Sequence, residues 1–213
     1  MDKNNKMYDV YRDYLLEVNS HTNLTTITDP SDIRVKHFDD SLSIIDYINE
    51  GSKVLDIGSG AGFPGIPLRI EKNFDLTLID SVNKKVKFMN EVIEKLELKN
   101  TRAIHTRAED FAKNERETYD LVISRAVANM STLSELCIPF LKVGGLFIAM
   151  KGPKADEELE EAENALKVLG GEIIKLDRFD LDGNERVNII VRKNHPTKIK
   201  YPRGKNLPKK NPL

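Results

Sequence analysis

Asp56 stands two residues ahead of Gly58, and Gly60 and Gly62 follow at the same interval, so the chain reads D-x-G-x-G-x-G. The apolar run Val54-Leu55 on one side and the glycines on the other describe a buried strand breaking into a tight turn. Glycines there let the backbone take positive φ values and let a flat ligand approach the main chain closely. Pro64 follows, suited to the first turn of a helix, where its missing N–H costs nothing. A carboxylate at Asp56 serves a ligand bearing an ammonium group, such as the methionine end of S-adenosylmethionine, and is badly placed beside a pyrophosphate. Asp80, about twenty residues on, suits ribose hydroxyls. Gly60-Ala61-Gly62-Phe63-Pro64-Gly65 also fits G-x-G-x-x-G, so a dinucleotide is the rival ligand. A phosphate-gripping loop is excluded, because no Gly-Lys-Ser/Thr ending follows.

Other side chains capable of chemistry are scattered. His37 shares a helical face, at three-residue spacing, with Arg34 and Asp40, where it meets RNA phosphate, covers the ligand pocket or serves as a satisfied structural histidine. Lys151, in Lys151-Gly152-Pro153-Lys154, is a candidate for RNA contact, against the plainer reading of a solvated lysine at a strand end. Cys137 is the one cysteine, beside Ile138 and Pro139 in a helical stretch, and reads as packing. No Cys pair, metal-ligand cluster or Ser-His-Asp spacing is present, and no catalytic base is nominated.

The elements that must position these residues follow from periodicity. Tyr8, Tyr11, Leu15, Leu16 and Val18 make a helical stripe, and Asp29-Pro30-Ser31-Asp32 opens a second helix running through Ile33, His37, Leu42 and Ile48 to Gly51. Strands are expected at 53–57, 75–80, 101–105, 119–124, 145–150, 171–177 and 185–192. Helices are expected near 64–71, 82–97, 131–140 and 154–169, with a short turn near 108–112. The alternation calls for an α/β fold, a Rossmann-like, mostly parallel seven-stranded sheet covered on both faces. Its last pair, joined through Asp182-Gly183-Asn184 without a helix, makes the final strand antiparallel. Residues 1–192 form one domain, with 1–50 as a helical cap and 53–192 as the Rossmann-like core, and 193–213 form a tail. Arg125 then lies where the fourth strand ends, the edge at which open α/β sheets bind ligands. It is assigned to cofactor or phosphate contact, with a structural ion pair as the alternative.

Composition narrows the setting. With 213 residues, 39% hydrophobic and 31% charged, the chain suits a single soluble domain. No apolar run reaches the roughly 20 residues that span a bilayer, and the polar amino terminus has no secretory core. A cytoplasmic, membrane-free, metal-free monomer is expected. The net charge of −1 is uneven: the seven Lys/Arg from Lys193 to Leu213, with no acid among them, leave the other 192 residues at −8. That tail is a candidate arm for RNA, with Lys200, Arg203, Lys209 and Lys210 on the backbone and the prolines keeping it extended; a merely solubilising tail is the alternative.

Larger motifs carry a resemblance. Val143-Gly144-Gly145 before Leu146–Met150 is a pattern common in methyltransferases. Val54–Ile70, Leu78–Val92, Arg107-Ala108-Glu109, Tyr119–Val127, His37-Phe38-Asp39-Asp40-Ser41-Leu42 and the Lys200-Tyr201-Pro202-Arg203 … Pro208–Leu213 ending together resemble the glucose-inhibited division protein B family. These are the methyltransferases G of small-subunit ribosomal RNA. The link Gly204-Lys205-Asn206-Leu207 departs from the usual pattern of that ending. The resemblance implies S-adenosylmethionine as cofactor, bound at Gly58, Phe63, Ala108, Glu109 and Arg125. It also implies methylation of guanine N7 in the decoding-region (530) loop of 16S ribosomal RNA, as free RNA or within the small subunit. A methyltransferase acting on another RNA, a small molecule or a protein is the alternative. Guanine N7 carries an in-plane lone pair and no hydrogen, so alignment and desolvation serve it better than a general base.

Overall fold

The computed structural model describes residues 3–125 and 128–213; Met1, Asp2 and the Ala126-Val127 end of the Tyr119–Val127 motif lie outside the described residues. Strands β1 (Lys53–Ile57), β2 (Asp75–Asp80), β3 (Thr101–His105), β4 (Tyr119–Arg125), β5 (Leu141–Lys151), β6 (Gly171–Leu181) and β7 (Asn184–Lys193) form one sheet in the order β3-β2-β1-β4-β5-β7-β6. The first five run parallel, and β7 inserts antiparallel between β5 and β6. The expected class is the one observed. The Asp182-Gly183 turn joining β6 to β7 has both residues at positive φ, +54° and +74°, as a two-residue hairpin turn requires.

Side chains alternate between the two faces of each strand, and this splits the core in two. Val54, Leu76, Leu121, Ile123, Ile148 and Ile190 pack under the helices α1 (Lys3–Thr22), α4 (Gly65–Glu71) and α5 (Asn83–Lys95). Leu55, Ile79, Val122, Phe147, Ala149 and Ile189 pack under α7 (Met130–Cys137) and α8 (Ala155–Leu169). Cys137 belongs to the second layer, fully buried, its thiol pushed up by burial. The edge strand β6 stays largely exposed and carries Lys175, Asp177, Arg178 and Asp180, charges that discourage pairing with another chain. Among the described residues no helix is long and apolar enough to cross a membrane.

Four local expectations are corrected. The turn near 108–112 is the eight-residue helix α6 (Ala108–Glu115), with Glu109 and Asp110 in its first turn, where acids favour the helix dipole. The fifth strand begins at Leu141, because the chain bulges between the Tyr119 and Leu121 pairings and carries Gly144 through φ +88°. The helix expected over 30–48 is broken. Asp29 caps α2 (Pro30–Ile33) by accepting Ser31 N–H at 2.8 Å and Asp32 N–H at 3.1 Å. A π-helical turn then spans Arg34–Asp39, followed by the single turn α3 (Asp40–Leu42) and a 3₁₀ turn at Ile45–Tyr47. The extra residue in the wider turn takes Arg34 off the shared face: it pairs with Asp39 at 3.0 Å, while His37 and Asp40 turn inward.

Finally, the basic tail is no free arm. Lys193, fully buried, donates to Glu117 Oε1 and Leu141 O, each at 2.8 Å, and Arg116 donates to the Thr197 and Tyr201 carbonyls. From there the chain climbs along α7 to the short helix α9 (Leu207–Lys210), where Thr132 Oγ1 donates to Pro208 O at 2.9 Å.

Candidate active site at the carboxyl edge of the sheet

The strand order reverses between β1 and β4, the crevice at which open α/β sheets take ligands. The glycine turn after β1 lies there. Gly58, Gly60 and Gly62 sit at φ +71°, +61° and +99°, and a Cβ on Gly62 would lie 2.5 Å from Ile66 Cδ1 and 2.7 Å from the Tyr11 hydroxyl. Only glycine fits that position. Asp80 ties the turn to β2: Oδ2 accepts Gly60 N–H at 3.0 Å and Oδ1 accepts Val82 N–H at 2.8 Å. Asp56 lies beneath the turn, fully buried. Its Oδ2 accepts Gly65 N–H at 2.9 Å, which holds the start of α4, and its Oδ1 has no hydrogen-bond partner. Burial pushes its carboxyl up to about 8, against the opposing pull of that N–H and of the Arg125 charge.

A cavity of about 480 Å³ opens beside the turn, lined by Gly58, Asp80, Ala108 and Glu109 from one side and by Asn206 and Lys209 of the tail from the other. Four of the residues expected around the cofactor therefore share one wall. Glu109 is held by Arg107 Nη2 at 3.2 Å, and the same nitrogen donates to Asn206 Oδ1 at 3.0 Å. The set fits S-adenosylmethionine: carboxylate oxygens at Asp80 and a small side chain at Ala108 leaving space for a ring. Asp56, expected to meet the ligand's ammonium group, lines neither cavity: it is fully buried beneath the turn, where burial favours its neutral form.

A second cavity, of about 580 Å³, lies over the ends of β4, β5 and β7, walled by His37, Asp40, Arg125, Lys151 and Arg186. Ala128 lines both cavities. Arg125 organises this wall. Its Nη1 donates to Asp40 Oδ2 at 2.8 Å and to Lys36 O at 3.3 Å, and its Nη2 to His37 Nδ1 at 3.1 Å. Since arginine only donates, His37 Nδ1 is the acceptor and Nε2–H donates to Thr25 Oγ1 at 2.9 Å. Burial and the Arg125 charge lower the His37 pKa to about 3, so the ring stays neutral. His37 also stacks on Phe63 at 4.3 Å between ring centroids, and the Arg125 guanidinium lies 5.2 Å from the same ring. Phe63 is thus the apolar floor under Arg125 and His37, and it lines neither cavity.

Several expected RNA contacts have other partners. His37 is neutral and bonded at both nitrogens, which leaves no charge for a phosphate. Lys151, nearly buried, donates to Ala128 O and pairs with Glu158 at 2.7 Å, so it shapes the cavity wall. Arg203 grips the buried Glu135 with Nε and Nη2, at 2.7–3.1 Å, and its own N–H adds a bond at 2.7 Å. Of the four tail residues, Lys200, Lys209 and Lys210 remain exposed. Sequence reasoning missed Arg107, Asn206 and Arg186, and gave Asp40 no role although it sits inside the quoted H-x-x-D-S-L segment. Arg107 was visible only as the first residue of the quoted Arg107-Ala108-Glu109 motif, whereas Asn206, Arg186 and Asp40 meet partners distant in sequence, which leave no local signal. Among the described residues no group of His, Cys, Asp and Glu is arranged to hold a metal ion.

Comparison with known proteins agrees with this geometry. The family model described as rRNA small subunit methyltransferase G matches residues 4–186. The ribosomal RNA small subunit methyltransferase G of Lactobacillus helveticus is 43% identical over 100% of this chain and 92% of its own length. That of Oenococcus oeni is 46% identical over 97% and 88%. Among solved structures, an Aquifex aeolicus SAM-dependent methyltransferase superposes with a TM-score of 0.60 at 20% identity, covering 80% of this chain and 97% of that one. M. jannaschii TYW2, solved in complex with AdoMet, gives 0.60 at 18% identity, covering 74% of this chain and 76% of that one. These last two are likenesses of fold.

Proposed function

The chain belongs to the rRNA small subunit methyltransferase G family, and from that premise we propose that it methylates N7 of one guanine in the 530 loop of 16S ribosomal RNA, using S-adenosylmethionine. One observation supports this most: two cavities along the carboxyl edge of the sheet, with Ala128 common to both. One has the acidic and small residues that suit an adenosine, and the other has Lys36, Arg125, Lys151 and Arg186 for a nucleotide. The cofactor, when bound, supplies an electrophilic methyl group whose C–S electrons return to sulfur as N7 forms the new C–N bond.

The chain's own residues orient and desolvate. Gly58 and Gly60 let the ligand approach the backbone. Asp80 accepts from ribose hydroxyls with its remaining lone pairs, Ala108 and Glu109 border the adenine, and Asp56 holds the start of α4 from beneath the turn. Phe63 supports Arg125, whose guanidinium, held by Asp40, His37 and Lys36 O, faces the nucleotide-side cavity. No side chain has to remove a proton, because N7 bears none. The exposed Lys200, Lys209 and Lys210 meet the RNA backbone, and a splayed loop nucleotide presents N7, which an A-form duplex hides. The enzyme acts as a cytoplasmic monomer, with small-subunit RNA as its partner.

Small subunits from cells lacking this protein, incubated with it and methyl-labelled S-adenosylmethionine, test the reading. Label should enter 16S RNA at one guanine, and borohydride reduction with aniline, which cleaves at N7-methylguanine, should cut there. Label on another atom, or none in RNA, overturns it.

A further inference from the structure

The second cavity contains a feature that neither cofactor binding nor the cap's attachment uses. Asp40 is 4% exposed; Oδ2 takes the Arg125 bond, while Oδ1 is buried with no hydrogen-bond partner. Arg186 Nε lies 3.4 Å away, close enough to attract but not aligned as a donor. An unmet buried acceptor is costly, more so when charged. Such an atom, in the wall of a cavity this size, fits a ligand that brings donors.

The layout says which donors. At one end of the cavity Ala128 adjoins the cofactor-side cavity, and Lys151 and Glu158 cluster there. At the other end are Asp40, Arg186 and Asn188; the last is tied through Ser43 Oγ to the Asp40 carbonyl. In guanine O6 stands at the corner between N7 and the Watson–Crick edge, and the 2-amino group lies at the far end of that edge from N7. A guanine seated with N7 at the Ala128 end then turns N1–H and the 2-amino group towards the Asp40 end. Guanine alone among the four bases presents two adjacent donors there, N1–H and the 2-amino group. Adenine would turn its N1 lone pair against the carboxylate.

We propose that Asp40 reads the target base: Oδ1 accepts from N1–H and the 2-amino group of guanine, selecting it and stabilising the charge it acquires. This rests on the N7-methylation reading. When N7 uses its lone pair for the new C–N bond, positive charge spreads over the purine and N1–H becomes a stronger donor, while its proton stays on the base. The hydrogen bond to a carboxylate therefore tightens as reaction proceeds, so Asp40 stabilises the transition state more than the bound substrate.

The full-length protein saturated with S-adenosylhomocysteine is titrated with 7-methyl-GMP, GMP, IMP and AMP, with binding followed by ligand-observed NMR. Wild-type protein should bind 7-methyl-GMP about tenfold more tightly than GMP, and GMP about tenfold more tightly than IMP, which lacks the 2-amino group, with AMP weakest. Asp40→Asn should flatten the first preference and lower kcat on small subunits about 100-fold with KM for S-adenosylmethionine within about threefold. The wild-type GMP and IMP arms do not depend on any variant folding. Equal binding of the four nucleotides, or no binding by any of them, overturns the proposal. If those preferences fail while the labelled guanine still appears at N7, only Asp40's role falls; if N7 is never labelled, the functional reading falls.

Discussion

The segment 30–48 and the tail 193–213 each wall one cavity at the same edge of the sheet, but different chemistry holds them there. The first is drawn inward by a compact polar cluster: the Arg125 guanidinium shared between Asp40, His37 and Lys36 O, with Phe63 beneath it. The tail is fastened at intervals along a climb from the amino edge to the carboxyl edge, at Lys193–Glu117, at the carbonyls of 197 and 201, and at Arg203–Glu135. The cluster gains from mutual support, so losing one member affects all. Separate fastenings fail one at a time. The same contrast divides the tail's own charge, since Lys193 and Arg203 are structural while Lys200, Lys209 and Lys210 face solvent.

Removing the hub should break the contrast most severely. Arg125→Met leaves the nearly buried Asp40 carboxylate with only the unaligned Arg186 Nε at 3.4 Å, and unfolding in urea should show a loss of about 3 kcal/mol together with loss of methylation. A loss below about 1 kcal/mol would mean that the apolar packing of the cap, not the cluster, holds it. Next, Arg203→Ala strands the buried Glu135 and should cost about 3 kcal/mol. Because Asn206 and Lys209 line the cofactor-side cavity, the same change should weaken S-adenosylhomocysteine binding about tenfold by calorimetry. Unchanged cofactor affinity with weaker RNA binding would return the tail to the role of an arm.

The pH dependence of the cluster comes third. His37 titrates at about 3 in the folded chain against 6.5 unfolded, so the unfolded state binds the extra proton between those values. Its contribution is complete above pH 6.5 and is lost as the pH falls towards 3, about 1.4 kcal/mol by pH 5.5. Urea titrations at pH 7.5 and 5.5 should show that difference in wild type, and His37→Gln should remove it. The smallest effect belongs to the exposed lysines. Replacing Lys200, Lys209 and Lys210 with alanine should leave melting temperature unchanged and flatten the salt dependence of RNA binding by about 2 in log–log slope. An unaltered slope would take these lysines out of the RNA path.

The sheet was legible in the residues because alternation and glycine placement are local signals: Val54–Gly62 announces its own strand and turn, and Asp182-Gly183 its own hairpin. Gly58 and Asp80 around the first cavity were legible too, from the glycine turn and the strand end beside it, whereas Ala108 and Glu109 were placed by the family resemblance. His37 and Arg203 were placed on the RNA side because charge and helical spacing were their visible properties. The π-helical turn that aims His37 inward, and the buried Glu135 that receives Arg203, leave no mark in local periodicity.

Sequence by itself thus determined the order of elements, the strand that ends in a carboxylate and glycines, and the family to which the chain belongs, all written in neighbouring residues. Tertiary structure alone decided that the tail would wall the cofactor side, that Arg125 would bind the cap, and that Asp40 would keep one oxygen free. Those outcomes depend on which distant side chains meet after burial, where a charge must find a partner or stay exposed, and no local pattern encodes that choice.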